Sequence, residues 1–299
     1  MNYKTLLGII ICSIILAACQ SGSNQTSKMP SYHRIVSLSG AITETLFTLG
    51  HGDKIIGVDI TSTYPSETNA LTKLGHIRQL NAEGVLGLHP DLIIMENSDN
   101  NSAAIKQLEQ SGIAILYLEK PNNLDAPLQM ARQIAKKLGD PEVKLSALEQ
   151  KILQEKQQLQ ALLAQHTERP KVLFIYARGK GNLMVAGKNT SAEAMINVAG
   201  GQNAMTEFED FKALSAEGLI KAQPEVILMF ESGLQSLDGA DALLKIPGIS
   251  QTPAGQSRRI IAMDGHYLLG FGPRSAQAAL ELAQKISSIY ENLGTLSSK

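Results

Sequence analysis

The chain has 299 residues, with 27 Lys and Arg against 28 Asp and Glu and a formal charge of −1, so it carries no basic excess of the kind nucleic-acid binding needs. Both cysteines, Cys12 and Cys19, fall near the start, which excludes a disulfide framework for the remainder. The length is enough for two compact domains with separate cores.

In chain order, Lys4, the apolar run Leu6 to Leu16 and the small residues Ala17 and Ala18 predict an export signal over 1–18, too short to span a membrane comfortably. Small residues directly before Cys19 resemble the bacterial lipobox, in which that cysteine is acylated after cleavage. The polar, Ser-rich stretch 19–32 is expected to be a lipidated tether, holding a soluble body at a membrane on the exported side. Arg34 to Leu38 and Lys54 to Asp59 predict strands, with a helix from about Ala41 to Leu49 between them. Pro65 forces Tyr64 into extended backbone, on a loop leaving the carboxyl end of a strand. In an open α/β sheet that end faces the ligand crevice.

Leu80 to Met95, L-N-A-E-G-V-L-G-L-H-P-D-L-I-I-M, recurs at Leu214 to Met229 as L-S-A-E-G-L-I-K-A-Q-P-E-V-I-L-M, with 7 of 16 positions identical. Each copy predicts a short helix capped by Asn81 or Ser215, then Pro90 or Pro224, then a buried strand. A repeat separated by more than a hundred residues is too long for a solenoid unit and implies two similar lobes with a cleft between them. A helix at Ala103 to Gln110 and a strand at Ile113 to Leu118 continue the strand-helix alternation of a parallel sheet.

From Leu124 to Gln165 the chain turns helical, broken at Gly139-Asp140-Pro141, and the part from Glu142 predicts a long connector that permits rocking rather than wide closure. The second lobe repeats the plan. Lys171 to Tyr176 is a strand, Arg178 to Gly181 a loop, Thr190 to Glu193 a capping box, and Arg259 to Asp264 a strand running into the loop Gly265 to Arg274. A closing helix runs from Ser275 to about Asn292. The expected fold is α/β: two Rossmann-like lobes, 33–122 and 169–299, with mainly parallel sheets, joined by a helical segment at 123–168.

Familiar catalytic signatures are missing from the sequence. Met184 stands where a third glycine would complete a dinucleotide fingerprint begun by Gly179 and Gly181, and Gly187-Lys188-Asn189 is not a phosphate loop. The histidines show neither HxxxH nor HxH spacing, and there is no G-x-S-x-G elbow. An enzyme is therefore disfavoured, and an exported hydrolase on a two-lobed scaffold remains the alternative of another class.

The segments Arg34-Ile-Val-Ser-Leu38, Gly57-Val-Asp59, Ser62-Thr-Tyr-Pro65, Arg78-Gln-Leu80, the two A-E-G helices, Met184-Val-Ala-Gly187 and Gly270-Phe-Gly-Pro-Arg274 together resemble the periplasmic hemin-binding proteins of bacterial ABC importers. The resemblance runs from about Arg34 to Tyr290. It implies a monomeric body that captures hemin, ferric heme b as transported ligand rather than catalytic cofactor, and delivers it to an ABC permease dimer and its ATPase. A ferric siderophore or a corrinoid is the alternative cargo on the same fold. Tyr64 becomes the axial iron ligand, a hard phenolate oxygen suited to ferric iron. Arg78 and Arg274, with Arg178 and Lys180 as further candidates, would pair the propionates. Met184, Leu268, Leu269 and Phe271 would wall the apolar part.

Some family members place a histidine on the second lobe as an opposite ligand, whereas Tyr176 to Gly181 contains none here. His266 could substitute, and Tyr267 and His76 are other donors, but a single tyrosinate is expected. Glu83 and Glu217 occupy matching places in the repeats, where the wider class docks acidic residues onto permease arginines. A glutamate in a first helical turn is also explained by the helix dipole alone.

Overall fold

The structure is a computed structural model that describes residues 31–97, 102–140, 143–165, 168–181 and 183–297. The expected export signal, Cys19 and nearly all of the tether lie outside these residues. From Tyr32 onward the chain is one unit.

Near-continuous apolar runs rich in β-branched side chains build most of the first sheet. Strands β1 (Ile35–Ser37), β2 (Ile55–Val58), β3 (Thr72–Lys73), β4 (Leu92–Glu96) and β5 (Ala114–Leu118) lie in the order β3-β2-β1-β4-β5, and every pair is parallel. Successive residues serve opposite faces. Ile35, Leu92 and Ile94 pack beneath helices α1 (Gly40–Thr48) and α4 (Ala126–Leu138), while Val36, Ile93 and Met95 pack beneath α2 (Ala82–Leu86) and α3 (Ala103–Gln110). The strand order reverses between β1 and β4, so the loops after those strands open a crevice at the carboxyl edge.

The connector is two helices with different allegiances. Helix α4 buries Met130, Ile134 and Ala135 in the first lobe, and Gly139 ends it at φ 74°. Helix α5 (Val143–Leu163) buries Leu148, Ile152 and Leu159 in the core of the second lobe, alongside the closing helix α12 (Ser275–Ser297). A hydrogen bond of 2.6 Å between His51 and Asp140, both buried, ties the end of α1 to the end of α4.

The second sheet is built around β6 (Lys171–Ala177), which pairs in parallel with β10 (Val226–Phe230), itself parallel to β11 (Ile260–Met263). The other edge of β6 is shared. The two-residue β8 (Gln202–Asn203) pairs with its start, and its end turns at Gly179 into the antiparallel β7 (Leu183–Ala186), which pairs with the antiparallel β9 (Phe211–Ala213). The all-parallel plan of the first lobe is thus only partly repeated, and Met184 sits on β7.

Remaining helices are α6 (Ser191–Val198), α7 (Ala216–Ala222), α8 (Glu231–Ser236), α9 (Ala240–Leu244), α10 (Pro253–Gln256) and α11 (Gly265–Leu269). The repeat caps form as the sequence dictates. Asn81 Oδ1 accepts from Glu83 N at 3.0 Å and Ser215 Oγ from Gly218 N at 3.1 Å. Thr190 Oγ1 likewise accepts from Glu193 N at 3.1 Å, while the Glu193 carboxylate reaches back to Asn189 N at 2.7 Å. Residues 265–269, expected as loop, are the short helix α11, because Asp264 Oδ1 caps Tyr267 N at 2.8 Å.

Candidate functional site

The loop after β2 is held by a buried aspartate. Asp59 accepts from Thr61 Oγ1 at 2.6 Å, Thr61 N at 3.2 Å and Ser62 Oγ at 2.7 Å, and Thr43 Oγ1 joins Ser62 to Ser37 with two 2.8 Å bonds. Lys73 Nζ donates to Ser62 O at 2.8 Å, and the Tyr64–Pro65 peptide is cis. This framework leaves Tyr64 43% exposed, with one neighbour lying over its ring face.

That neighbour is Arg274, from the other lobe. Its guanidinium carbon lies 3.5 Å from the Tyr64 ring centroid and 5.0 Å from that of Tyr267, so the cation is flanked by two phenol rings. Arg274 Nε donates to Glu44 Oε1 at 2.9 Å and its Nη2 to Glu44 Oε2 at 3.1 Å, and His266 Nε2 lies 3.2 Å from Oε2. Glu44 stands on α1 of the first lobe. The side chains of Glu44, His266 and Arg274 are 4%, 7% and 19% exposed, so this bridge between lobes is nearly dry. Burial pushes the Glu44 carboxyl up, but hydrogen bonds from His266 and Arg274, helped by their charges, hold it net below the ordinary carboxylate range.

Close backbone approach makes the bridge fit. A Cβ on Gly40 would lie 2.5 Å from His266 Cε1 and 2.7 Å from Thr61 O, and one on Gly270 would lie 2.5 Å from His266 O. Beneath it, at the point where the strand order reverses, Ser39 Oγ donates to Glu96 Oε1 at 2.5 Å. Burial raises the Glu96 carboxyl above its ordinary value, and the nearby charge of Asp59 adds to that.

The second lobe presents an aromatic edge. Phe230 packs edge-on against Phe174 and Tyr176 at centroid distances of 5.0 and 5.9 Å, and Tyr176 also meets Phe211 at 6.4 Å. Gly265 abuts the Phe230 ring, so α11 with His266 lies beside this patch. Arg178 sits 5.4 Å from the Tyr176 centroid, and Met184 is the register partner of Tyr176. Burial pushes the Tyr267 phenol well up, and the charge and hydrogen bond of Glu281 push it further.

Tyr64, Arg274 and His266, singled out from sequence, therefore converge. The Nε/Nη2 edge of Arg274 is committed to Glu44. His266 is wedged between Gly40 and Gly270, with its Nε2 3.2 Å from Glu44 Oε2. Phe271 is 0% exposed and belongs to the core, because a backbone φ of 49° between two glycines turns it inward. Leu268 is fully buried as well, whereas Leu269 and Met184 keep partial exposure. Lys180 forms an exposed pair with Asp238 at 2.7 Å. Arg78 and Arg178 are exposed, and neither forms an ion pair among the described residues. Glu83 and Glu217 are exposed in the first turns of α2 and α7.

Glu44, Tyr176, Phe211 and Phe230 were not singled out. Glu44 did leave a signal, since it is the one charged residue in a helix whose other faces are apolar or Thr.

Residues 35–267 match the periplasmic binding protein family. The chain belongs to that family. This binding protein is 42% identical to the periplasmic heme-binding protein RhuT of Roseiflexus sp. RS-1 in its apo form, with a TM-score of 0.81 over 87% of this chain and 99% of that one. It is 34% identical to the periplasmic heme-binding protein BhuT in complex with two hemes, again with a TM-score of 0.81 over 87% and 99% of the two chains. A curated relative from Vibrio parahaemolyticus, a vitamin B12-binding protein, is 27% identical over 89% of this chain and 94% of its own length. An ABC transporter substrate-binding lipoprotein of Bacillus subtilis, YvrC, is 29% identical over 85% and 79%.

Among the described residues of this binding protein no three of His, Cys, Asp and Glu form a metal-holding group. No described helix is long and apolar enough to cross a membrane. A cavity of about 440 Å³ in the second lobe, lined by Lys171, Asn203, Met205, Phe208 and Lys212, shares no residue with the Tyr64 site.

Proposed function

We propose that this periplasmic binding protein captures hemin between its lobes, with the Tyr64 phenolate as the single axial ligand, and delivers it to an ABC permease. The observation that carries this is the exposed Tyr64 ring on the carboxyl edge of the first lobe, covered by a cation from the second. A phenolate is a hard donor for ferric iron, and a fixed guanidinium stabilises the negative charge it carries when bound. Tyr176, Phe230, Met184 and Leu269 supply an apolar wall for a porphyrin face. Arg78 and Arg178, both exposed, are proposed to pair the propionates.

The likeness to heme-binding structures at 42% and 34% identity supports this cargo. Glu83 and Glu217, at equivalent first-turn positions, are proposed as permease contacts. Cys19 is proposed as the lipid anchor on the exported side, with a monomeric body beyond it. The protein performs no chemistry on its cargo in this proposal; affinity comes from coordination, ion pairing and apolar burial.

The vitamin B12-binding relatives give a second cargo a specific basis. Purified protein titrated with hemin is expected to develop a Soret band that saturates at stoichiometric addition and weakens in Tyr64→Phe. No spectral change with hemin, or tight binding of cyanocobalamin instead, would overturn the assignment.

A further inference from the structure

We infer that Glu44 is a positioning residue for the cargo site: from the first lobe it fixes the guanidinium of Arg274 flat over the ring of Tyr64. This rests on the proposed function and adds to it a residue that touches neither the phenol nor the cargo.

An arginine side chain has many rotamers, and a ring face alone does not select one. The two parallel bonds from Nε and Nη2 to the Glu44 carboxylate, at 2.9 and 3.1 Å, define both the place and the plane of the guanidinium. His266 holds the second carboxylate oxygen at 3.2 Å, so the carboxylate cannot rotate to follow a wandering arginine. Tyr267 flanks the cation at 5.0 Å on the side of its own lobe.

Chain origin gives this geometry its consequence. Glu44 and Tyr64 belong to the first lobe, whereas Arg274 and His266 belong to the second. The cation therefore reaches the phenol only when the lobes are docked, and Glu44 is the contact that registers the docking. A carboxylate that merely glued the lobes together would affect binding of any cargo, whatever Tyr64 does. A positioning carboxylate acts only through the tyrosine.

Hemin titrations of the wild type, Glu44→Gln, Tyr64→Phe and the double variant separate these cases. Glu44→Gln is expected to weaken hemin binding about tenfold and shift the phenolate-to-iron charge-transfer band, in line with the loss of one charge-assisted contact. In the Tyr64→Phe background the same substitution should change affinity less than about twofold. Binding and spectrum unchanged in Glu44→Gln would overturn the inference, as would an equal loss in both backgrounds. If Tyr64→Phe binds hemin like the wild type, the assignment of Tyr64 as axial ligand fails first and this inference falls with it, whereas the cargo assignment fails only if the wild type gives no spectral change with hemin. Glu44→Asp covers poor folding of the glutamine variant: it keeps the negative charge beside Arg274 and His266 but is one methylene too short to hold both arginine nitrogens. A wild-type hemin spectrum in Glu44→Asp would equally overturn the inference.

Discussion

Replacing Arg274 by Gln leaves the Glu44 carboxylate in a nearly dry interface with only His266 beside it. Removing one partner of a fully buried ion pair costs about 3–5 kcal/mol. Arg274 keeps 19% exposure and His266 remains at 3.2 Å, which places the expected loss below that range, at about 2–3 kcal/mol. For a chain of this size each kcal/mol moves the melting point by about 2–4 °C, so a fall of roughly 4–12 °C is expected near neutral pH.

The pH dependence identifies the cause. In the wild type the Glu44 carboxyl is held below its ordinary 4.5, so its contribution is present above that value and is lost as pH falls through the folded one. Without Arg274, burial dominates and the folded value rises, so the variant instead loses stability as pH increases past 4.5. The gap between the two proteins should be widest at neutral pH and close in acid, as read from urea midpoints at several pH values. A deficit that stays constant between neutral pH and the acid limb would mean that lost ring stacking, not an orphaned charge, is responsible, and would refute the reasoning.

Three other substitutions probe the surroundings of the site. Burial raises the Glu96 carboxyl, so its favourable contribution is present below 4.5 and lost as pH rises through the folded value; Glu96→Gln should gain about 1 kcal/mol at pH 8 and nothing in acid, and a net loss at pH 8 would contradict this. Gly40→Ala places a Cβ 2.5 Å from the His266 ring and 2.7 Å from a backbone oxygen, so it should cost about 1–3 kcal/mol and enlarge the radius of gyration in small-angle scattering, whereas unchanged values would show that the interface yields freely. Thr190→Ala removes the acceptor for Glu193 N and the donor to Gly187 O, and should cost about 1–2 kcal/mol in urea unfolding without altering the hemin spectrum.

How far the sequence revealed these features depended on how local their causes are. The helix caps at Asn81, Ser215 and Thr190 were legible because each bond spans only two or three residues. Four of the five parallel strands of the first lobe were legible from apolar runs long enough to read, whereas the exposed two-residue β3 was not. The antiparallel β7 and β9 were not, being four and three residues long, with pairing set by a turn at Gly179 and by distant partners. The family resemblance made Phe271 a wall of the cleft, yet its positive φ turns the ring into the core. Glu44 was hidden for a more general reason. A carboxylate on an apolar helix survives burial only with a cation, and that cation comes from a residue 230 positions away.

The duplication that builds the two lobes does not duplicate their chemistry. At the facing edges the first lobe offers the oxygens of Tyr64, Asp59, Glu96 and Glu44, while the second offers Arg274, His266, Arg178 and an aromatic wall. Such a division suits a flat ligand with a metal centre and anionic arms better than it suits a symmetric one. The count of cations then constrains the proposed binding mode. One edge of Arg274 is already paired with Glu44, so the proposed mode assigns the propionates to Arg78 and Arg178, one from each lobe, with the porphyrin arms spread across the gap. Replacing Arg78 and Arg178 by Gln together should therefore weaken hemin binding by more than either change alone, whereas removing either should leave the charge-transfer band of the Tyr64 phenolate in place. A loss of that band in Arg178→Gln would mean that the second lobe shapes the iron site directly, and the division of labour argued from the two edges would have to be redrawn.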